Sequence, residues 1–139
     1  MEKLYTVSAT SIGGRSGRVS TSDGVLDMEL KSPAEMGGPG GGANPEALFA
    51  AGYSACFNSA LNLIARTRRI RIGQTRVTVA VTLGKDKEGN FRLGARIEAF
   101  VPGVSLQDAD ELIRAAHQVC PYSRATRGNI DVELSASTD

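Results

Sequence analysis

An excess of charge is missing from this chain: 16 Lys and Arg stand against 15 Asp and Glu, for a net charge of +1. Nothing global therefore argues for a nucleic acid or an anionic membrane as partner. No apolar run reaches transmembrane length, and Met1-Glu2-Lys3-Leu4 does not open a signal peptide. The expected compartment is the cytosol. Cysteine is scarce, with two residues, and histidine scarcer, with one. In a reducing compartment both thiols should be free at rest, and any bond between them transient and catalytic. Cys56 and Cys120 are far apart in sequence, so no CxxC motif is present. With His117 they offer three metal ligands at most, against the four of a closed structural zinc site. A catalytic site of two Cys and one His stays formally open, but no metal is expected. Internal repeats and long linkers are also lacking, so residues 1–139 read as a single domain. That length buries roughly two-thirds of the unfolded surface without metal or disulfide staples.

What is present reads as strands, helix, hairpin, helix, strand. Residues 4–9 alternate, with Tyr5, Val7 and Ala9 on one side. Arg18 to Thr21 and Val25 to Leu30 flank the turn Ser22-Asp23-Gly24, giving an antiparallel meander. Residues 37–42 form a glycine-rich connector. No Lys-Ser/Thr follows it and Glu46 would repel an anion, so a mobile linker is the better reading than a phosphate cradle. Val77, Val79, Val81 and Leu83 alternate, as do Leu93, Ala95, Ile97, Ala99 and Val101. Both sets fall at odd positions, so the hairpin joining them needs an odd-length loop such as Lys85 to Gly89. Ser105 caps a second helix with Ala109, Leu112, Ile113, Ala116 and Cys120 on one face, stopped by Pro121. Ile130, Val132 and Leu134 alternate as a last strand. The fold class is α+β, antiparallel strands packed around two main helices.

The central stretch runs from Asn44 to Phe57. Asn44 is a good N-cap, Pro45 suits the first helical position, and Glu46 suits the positive end of the dipole. Beyond them the chain is small or apolar on nearly every side, so the helix should be enclosed. It should close with the basic run Arg66 to Arg71 and stop at Gly73. Cys56 lies mid-helix among apolar residues, where enclosure raises a thiol's pKa above its free value of about 8.5. Cys120, at a helix C-terminus, is worse placed to ionise. Two such cysteines are core packing more often than chemistry. If either reacts first it is Cys56, and only with a cation near it; an arginine held by a carboxylate suits. His117 shares a helix side with Cys120 and could act as its base, although a satisfied histidine near a helix end is the plainer reading.

Position alone does not choose among the arginines. Several stretches resemble the organic hydroperoxide resistance (Ohr) family of the wider osmotically inducible (OsmC) superfamily. They are Gly13-Gly14-Arg15 with Gly17-Arg18, Ser22 to Asp27, Asn44-Pro45-Glu46 through Ala50-Ala51-Gly52-Tyr53-Ser54-Ala55-Cys56-Phe57, and Val119-Cys120-Pro121-Tyr122-Ser123 with Thr126 to Val132. The likeness runs in order over essentially the whole chain, and the Cys-Pro-Tyr-Ser ending favours the Ohr branch over the OsmC branch. It implies that Cys56 is the peroxidatic thiol, Cys120 the resolving thiol, and that Arg15 and Glu46 complete the site. It also implies an OsmC/Ohr-like fold, an intertwined homodimer and a reductant carrying lipoyl groups on partner proteins; no cofactor is implied. In that scheme a Cys56 thiolate attacks the O–O bond, expels an alcohol and becomes a sulfenic acid, which Cys120 converts to a disulfide. Arg15 would stabilise the thiolate and the leaving oxygen, with Glu46 orienting it. Phe49 and Phe57 would wall an apolar pocket suited to alkyl or fatty-acid hydroperoxides.

On one continuous helix Glu46 and Cys56 lie about 15 Å apart along the axis and about 80° around it. One subunit's helix does not easily supply both to a compact site, so the partner subunit should contribute part of it. The rival readings are an OsmC-branch peroxidase of different substrate preference, a non-enzymatic binder of acyl chains, and a redox sensor. The sensor is disfavoured because no output module is evident.

Overall fold

The computed structural model describes residues 1–139. The chain divides into two compact units, Met1–Leu48 and Phe49–Asp139.

In the first unit, strands β1 (Ala9–Ile12), β2 (Arg18–Thr21) and β3 (Asp27–Glu29) form an antiparallel sheet in that order. The expected first strand over 4–9 is displaced. β2 has four residues and its register ends at the pair Ala9↔Thr21, so the residues before Ala9 find no partner strand in this chain. Leu4 and Tyr5 are consequently exposed. β3 is shorter than Val25 to Leu30 because the turn absorbs its beginning. Asp23 accepts hydrogen bonds from the Val25 N–H at 3.0 Å and the Thr21 hydroxyl at 2.6 Å, and the Thr21 N–H bonds the Leu26 carbonyl. The glycine-rich connector is folded back rather than loose: the Gly38 and Gly40 N–H groups bond the carbonyls of Pro33 and Ser32.

Helix α1 (Pro45–Thr67) follows, with the Asn44 side chain accepting from the Ala47 N–H at 2.8 Å. Its end is not set by Gly73. Arg69 takes a left-handed φ of 57°, and the bonds Ile70 N–H to Ala65 O and Arg69 N–H to Arg66 O complete a Schellman motif around it. The expectation of an enclosed helix also fails within the chain. Only Tyr53, Phe57, Ala60, Leu61 and Ala65 are buried. Ala47, Ala51, Ala55, Ser59 and Leu63, at successive steps of four, form an exposed ridge. By length and composition α1 is long and apolar enough to cross a membrane, against the sequence expectation. Its polar residues Ser54, Asn58, Ser59 and Asn62 interrupt the apolar run without lowering its average far.

The second unit holds β4 (Arg76–Lys85), β5 (Phe91–Phe100) and β6 (Val132–Ser137), in the order β4-β5-β6. β4 and β5 pair odd to odd, Val77↔Ala99 through Leu83↔Leu93, across a five-residue loop from Asp86 to Asn90. The loop is odd in length as expected, shifted by one residue. Asp86 organises it by accepting from the N–H groups of Glu88 and Asn90. β6 departs from the antiparallel expectation and joins β5 in parallel. Helices α2 (Leu106–Val119) and α3 (Pro121–Thr126) form the crossover that such a pairing requires. The Ser105 side chain accepts from the Asp108 N–H as the cap of α2. Pro121 does not simply stop a helix; it begins α3, whose missing N–H costs nothing at the first position. The core gathers Tyr53, Phe57 and Leu61 of α1, Val79 of β4, Ile97 of β5, Leu112 and Ile113 of α2, and Cys120.

Candidate active site

Arg15 sits in a 3-10 turn, Gly14–Ser16, between β1 and β2. The turn is tight. Gly13 and Gly14 have φ of 79° and 60°, and a Cβ at Gly17 would lie 1.7 Å from the Ile12 carbonyl oxygen. Only glycine serves at such positions. The loop presents the guanidinium to the first turn of α1. There Arg15 Nη1 donates to Glu46 Oε2 at 2.7 Å and Nη2 to Oε1 at 2.5 Å. This is the two-pronged geometry that a guanidinium and a carboxylate favour. The hydrogen bonds from Arg15 hold the Glu46 carboxyl below its usual range, and Glu46 raises the Arg15 pKa in turn. The side chains keep 36% and 16% of their exposure, so the pair is partly wetted.

Cys56 lies on α1, half-buried against the core, and Cys120 is fully buried at the joint of α2 and α3. Both are free thiols. Burial pushes the Cys56 thiol up from its ordinary value. The Tyr122 backbone N–H, donating toward the sulfur, draws it down, while the neighbouring Cys120 thiol raises it further. The structure thus brings together Arg15 with Glu46, and Cys56 with Cys120, as two preformed pairs. Burial works against ionisation of Cys56.

Phe49 packs against the core, with its ring 5.9 Å from Tyr53 and 6.2 Å from Tyr122. Phe57 is fully buried and backs the core rather than facing outward. Tyr53 and Tyr122, 5.7 Å apart, belong beside the thiols; in the sequence they stood only as members of the two cysteine stretches, without a role. Their spacing was the available signal: Tyr53 is one helical turn before Cys56, and Tyr122 follows Cys120 by two residues. Gly52 lets the Tyr122 ring approach α1, since a Cβ there would lie 2.7 Å from its hydroxyl oxygen. His117 does not pair with a thiol. Its Nδ1 lies 2.8 Å from the Ser123 hydroxyl, and burial followed by the Arg127 charge lowers its pKa. No group of three or more Cys, His, Asp and Glu is arranged to hold a metal ion.

Residues 38–135 match the family model described as OsmC-like protein. A protein of Staphylococcus epidermidis named organic hydroperoxide resistance protein-like 2 is 49% identical over 136 residues, covering 96% of each chain. The organic hydroperoxide resistance protein OhrA of Bacillus subtilis is 44% identical over 142 residues, covering 98% of each. The crystal structure of an organic hydroperoxide resistance protein from Elizabethkingia anophelis superposes with a TM-score of 0.95 at 51% identity, covering 100% of both chains. With its α+β architecture, its two sheets and its cysteine-bearing helices, this chain belongs to the OsmC-like family and, within it, to the organic hydroperoxide resistance proteins of oxidative-stress defence.

Proposed function

We propose that the chain is a cytoplasmic thiol peroxidase that reduces alkyl or fatty-acid hydroperoxides to alcohols. The observation that carries this reading is the adjacency of two reduced thiols, one half-buried and one enclosed, beside an apolar aromatic wall. The Cys56 thiolate attacks the outer oxygen of the hydroperoxide. The O–O bond breaks, an alkoxide leaves and takes a proton to become the alcohol, and Cys56 becomes a sulfenic acid. The Cys120 thiol then displaces hydroxide, giving water and the Cys56–Cys120 disulfide. A dihydrolipoyl group on a partner protein reduces that bond by exchange and leaves as the cyclic disulfide. Phe49 and Tyr122 face the alkyl chain, with the fully buried Tyr53 and Phe57 packed behind them.

Such a mechanism needs a thiolate, and burial of the Cys56 thiol works against one. The same chain leaves the ridge Ala47, Ala51, Ala55, Ser59 and Leu63 uncovered on a strongly apolar helix. A second copy accounts for both. In an intertwined homodimer the ridge is covered and the partner chain brings its guanidinium, already aimed by the carboxylate at position 46, to the sulfur. The two compact units act together as one domain, and the dimer is obligatory for turnover.

Two experiments test this. Steady-state consumption of cumene hydroperoxide should proceed with a dihydrolipoyl donor and not with thioredoxin or glutathione; no turnover with any dithiol overturns the peroxidase. Mixing Arg15→Ala chains with Cys56→Ser chains should restore activity in the hybrids. Inactive hybrids would place Arg15 in the same chain as the cysteine it serves.

A further inference from the structure

Helix α3 has six residues, too few to hold itself by backbone bonds. Its buried residues are Ser123 and Thr126, both hydroxyls, so hydrogen bonding fixes it together with the packing of the Tyr122 ring on Phe49 and Tyr53. The Ser123 Oγ lies 2.8 Å from the Tyr53 hydroxyl and 2.8 Å from His117 Nδ1. The Thr126 hydroxyl lies 3.2 Å from Tyr53 and donates to the Ser123 carbonyl at 3.1 Å. Arg127 donates to the His117 carbonyl at 3.0 Å and ties the far end of α3 to α2. One proton assignment uses every donor once. Thr126 donates to the Ser123 carbonyl, Tyr53 to Thr126, Ser123 to Tyr53, and the His117 Nδ1–H to Ser123. The opposite sense leaves the Tyr53–Thr126 contact without a hydrogen between the oxygens. The first assignment holds for neutral and protonated His117 alike.

The network joins the sites of both thiols. Tyr53 is one turn before Cys56 on α1, and Ser123 is in the first turn after Cys120. Cys120 itself is the hinge: its N–H bonds the Ala116 carbonyl of α2, and its own carbonyl accepts from the Arg124 N–H of α3. We propose that Ser123 is a positioning residue for disulfide closure, its hydroxyl clamping α3 between Tyr53 and His117 so that the Cys120 thiol stays within reach of an oxidised Cys56.

This inference rests on the peroxidase reading above and adds which step the clamp governs. Oxidised Cys56 has two fates. Its sulfenic acid and the Cys120 thiol condense to a disulfide and water. Alternatively, its sulfenate reduces a second hydroperoxide to alcohol and is itself oxidised to a sulfinate. The partition follows the frequency with which the second sulfur meets the first, which is an effective concentration set by how firmly α3 is held. A clamped hinge favours the disulfide.

The test uses Tyr53→Phe, which keeps the ring and deletes the hydroxyl, together with Ser123→Ala and the double variant. Reduced full-length proteins are titrated with cumene hydroperoxide, and sulfinate per turnover is read by mass spectrometry. Each single variant deletes two of these hydrogen bonds, one of them shared, and should raise that fraction at least about fivefold, the effect of a single neutral hydrogen bond; the double variant should raise it by less than the two effects combined. A purely structural role would lower the melting temperature and leave the partition unchanged; that result overturns the proposal. A second arm drives Cys56–Cys120 closure with diamide, which takes the two thiol hydrogens and becomes the hydrazide. Closure should slow in both single variants, and undiminished closure again overturns the clamp. If the parent protein leaves cumene hydroperoxide intact, the peroxidase reading falls, and the diamide arm still decides the clamp.

Discussion

Replacing Glu46 by glutamine isolates the ion pair with little change of shape. A glutamine oxygen still accepts one bond from Arg15, but the second prong and the charge are lost. Exposed pairs contribute about 0.2–1 kcal/mol after solvent screening. This pair is bidentate and its carboxylate is 16% exposed, while its arginine is 36% exposed. The upper end of the range applies, so Glu46→Gln should cost about 1 kcal/mol at neutral pH, a fall in Tm of a few degrees. The pH dependence carries the sign. The carboxyl's pKa is lowered in the folded chain, so its contribution is fully present above the unfolded glutamate value of about 4.3 and is lost as pH falls through the depressed folded value. Urea unfolding of parent and variant should therefore converge on acidification. The kinetic effect should be larger than the stability effect. A guanidinium released from its carboxylate samples many rotamers, and misplacement of a catalytic group costs about ten- to a hundredfold in kcat/KM. The assay is hydroperoxide consumption with a dihydrolipoyl donor. A stability gap that ignores pH, together with unchanged kcat/KM, would refute the role given to Glu46.

Cys120→Ser should reduce one hydroperoxide on reaching the Cys56 sulfenic acid, form no intramolecular disulfide and, with hydroperoxide in excess, reduce a second as it accumulates sulfinate at Cys56, followed by mass spectrometry. Arg15→Ala should leave Cys56 with only burial, the Tyr122 amide and Cys120 acting on it. Its alkylation by iodoacetamide should then stay slow at neutral pH and rise only above the ordinary thiol range, whereas the parent dimer should react at neutral pH; identical profiles would remove the cation from the account. Arg69→Gly should stabilise the protein by about 0.5–1 kcal/mol in urea unfolding, because a left-handed residue with a Cβ costs about 1–2 kcal/mol and glycine returns part of that as chain entropy.

The parts of this fold governed by local patterns were legible in the sequence. Odd-numbered alternation gave the odd-to-odd pairing of β4 and β5, with the loop one residue later than expected, and the caps Asn44 and Ser105 begin their helices where capping chemistry puts them. Cys120 fell on the core stripe of α2 and is fully buried there. What depended on distant partners was not legible. The N-terminal strand was placed too early because alternation does not reveal that β2 is too short to pair with residues 4–8. Parallel pairing of β6 depends on where the crossover returns the chain, which no pattern within Val132–Ser137 records. The stop of α1 was assigned to Gly73 by residue type, but the backbone bonds close around Arg69. The enclosure of α1 was read from composition, which does not distinguish burial by the same chain from burial by another. Ser123 stood out only as part of the Cys-Pro-Tyr-Ser motif and received no role of its own for a related reason: its partners Tyr53 and His117 come from two other helices.

The account rests on Cys56 reducing a hydroperoxide and Cys120 closing on it. The direct measurement adds tert-butyl hydroperoxide, equimolar with chains, to the fully reduced protein, then counts alcohol, remaining thiols and cross-linked peptides. The account predicts an alcohol for each chain, both thiols consumed, and a peptide linked through Cys56 and Cys120, with none of this in Cys56→Ser. Intact hydroperoxide, or consumption undiminished by Cys56→Ser, would contradict it.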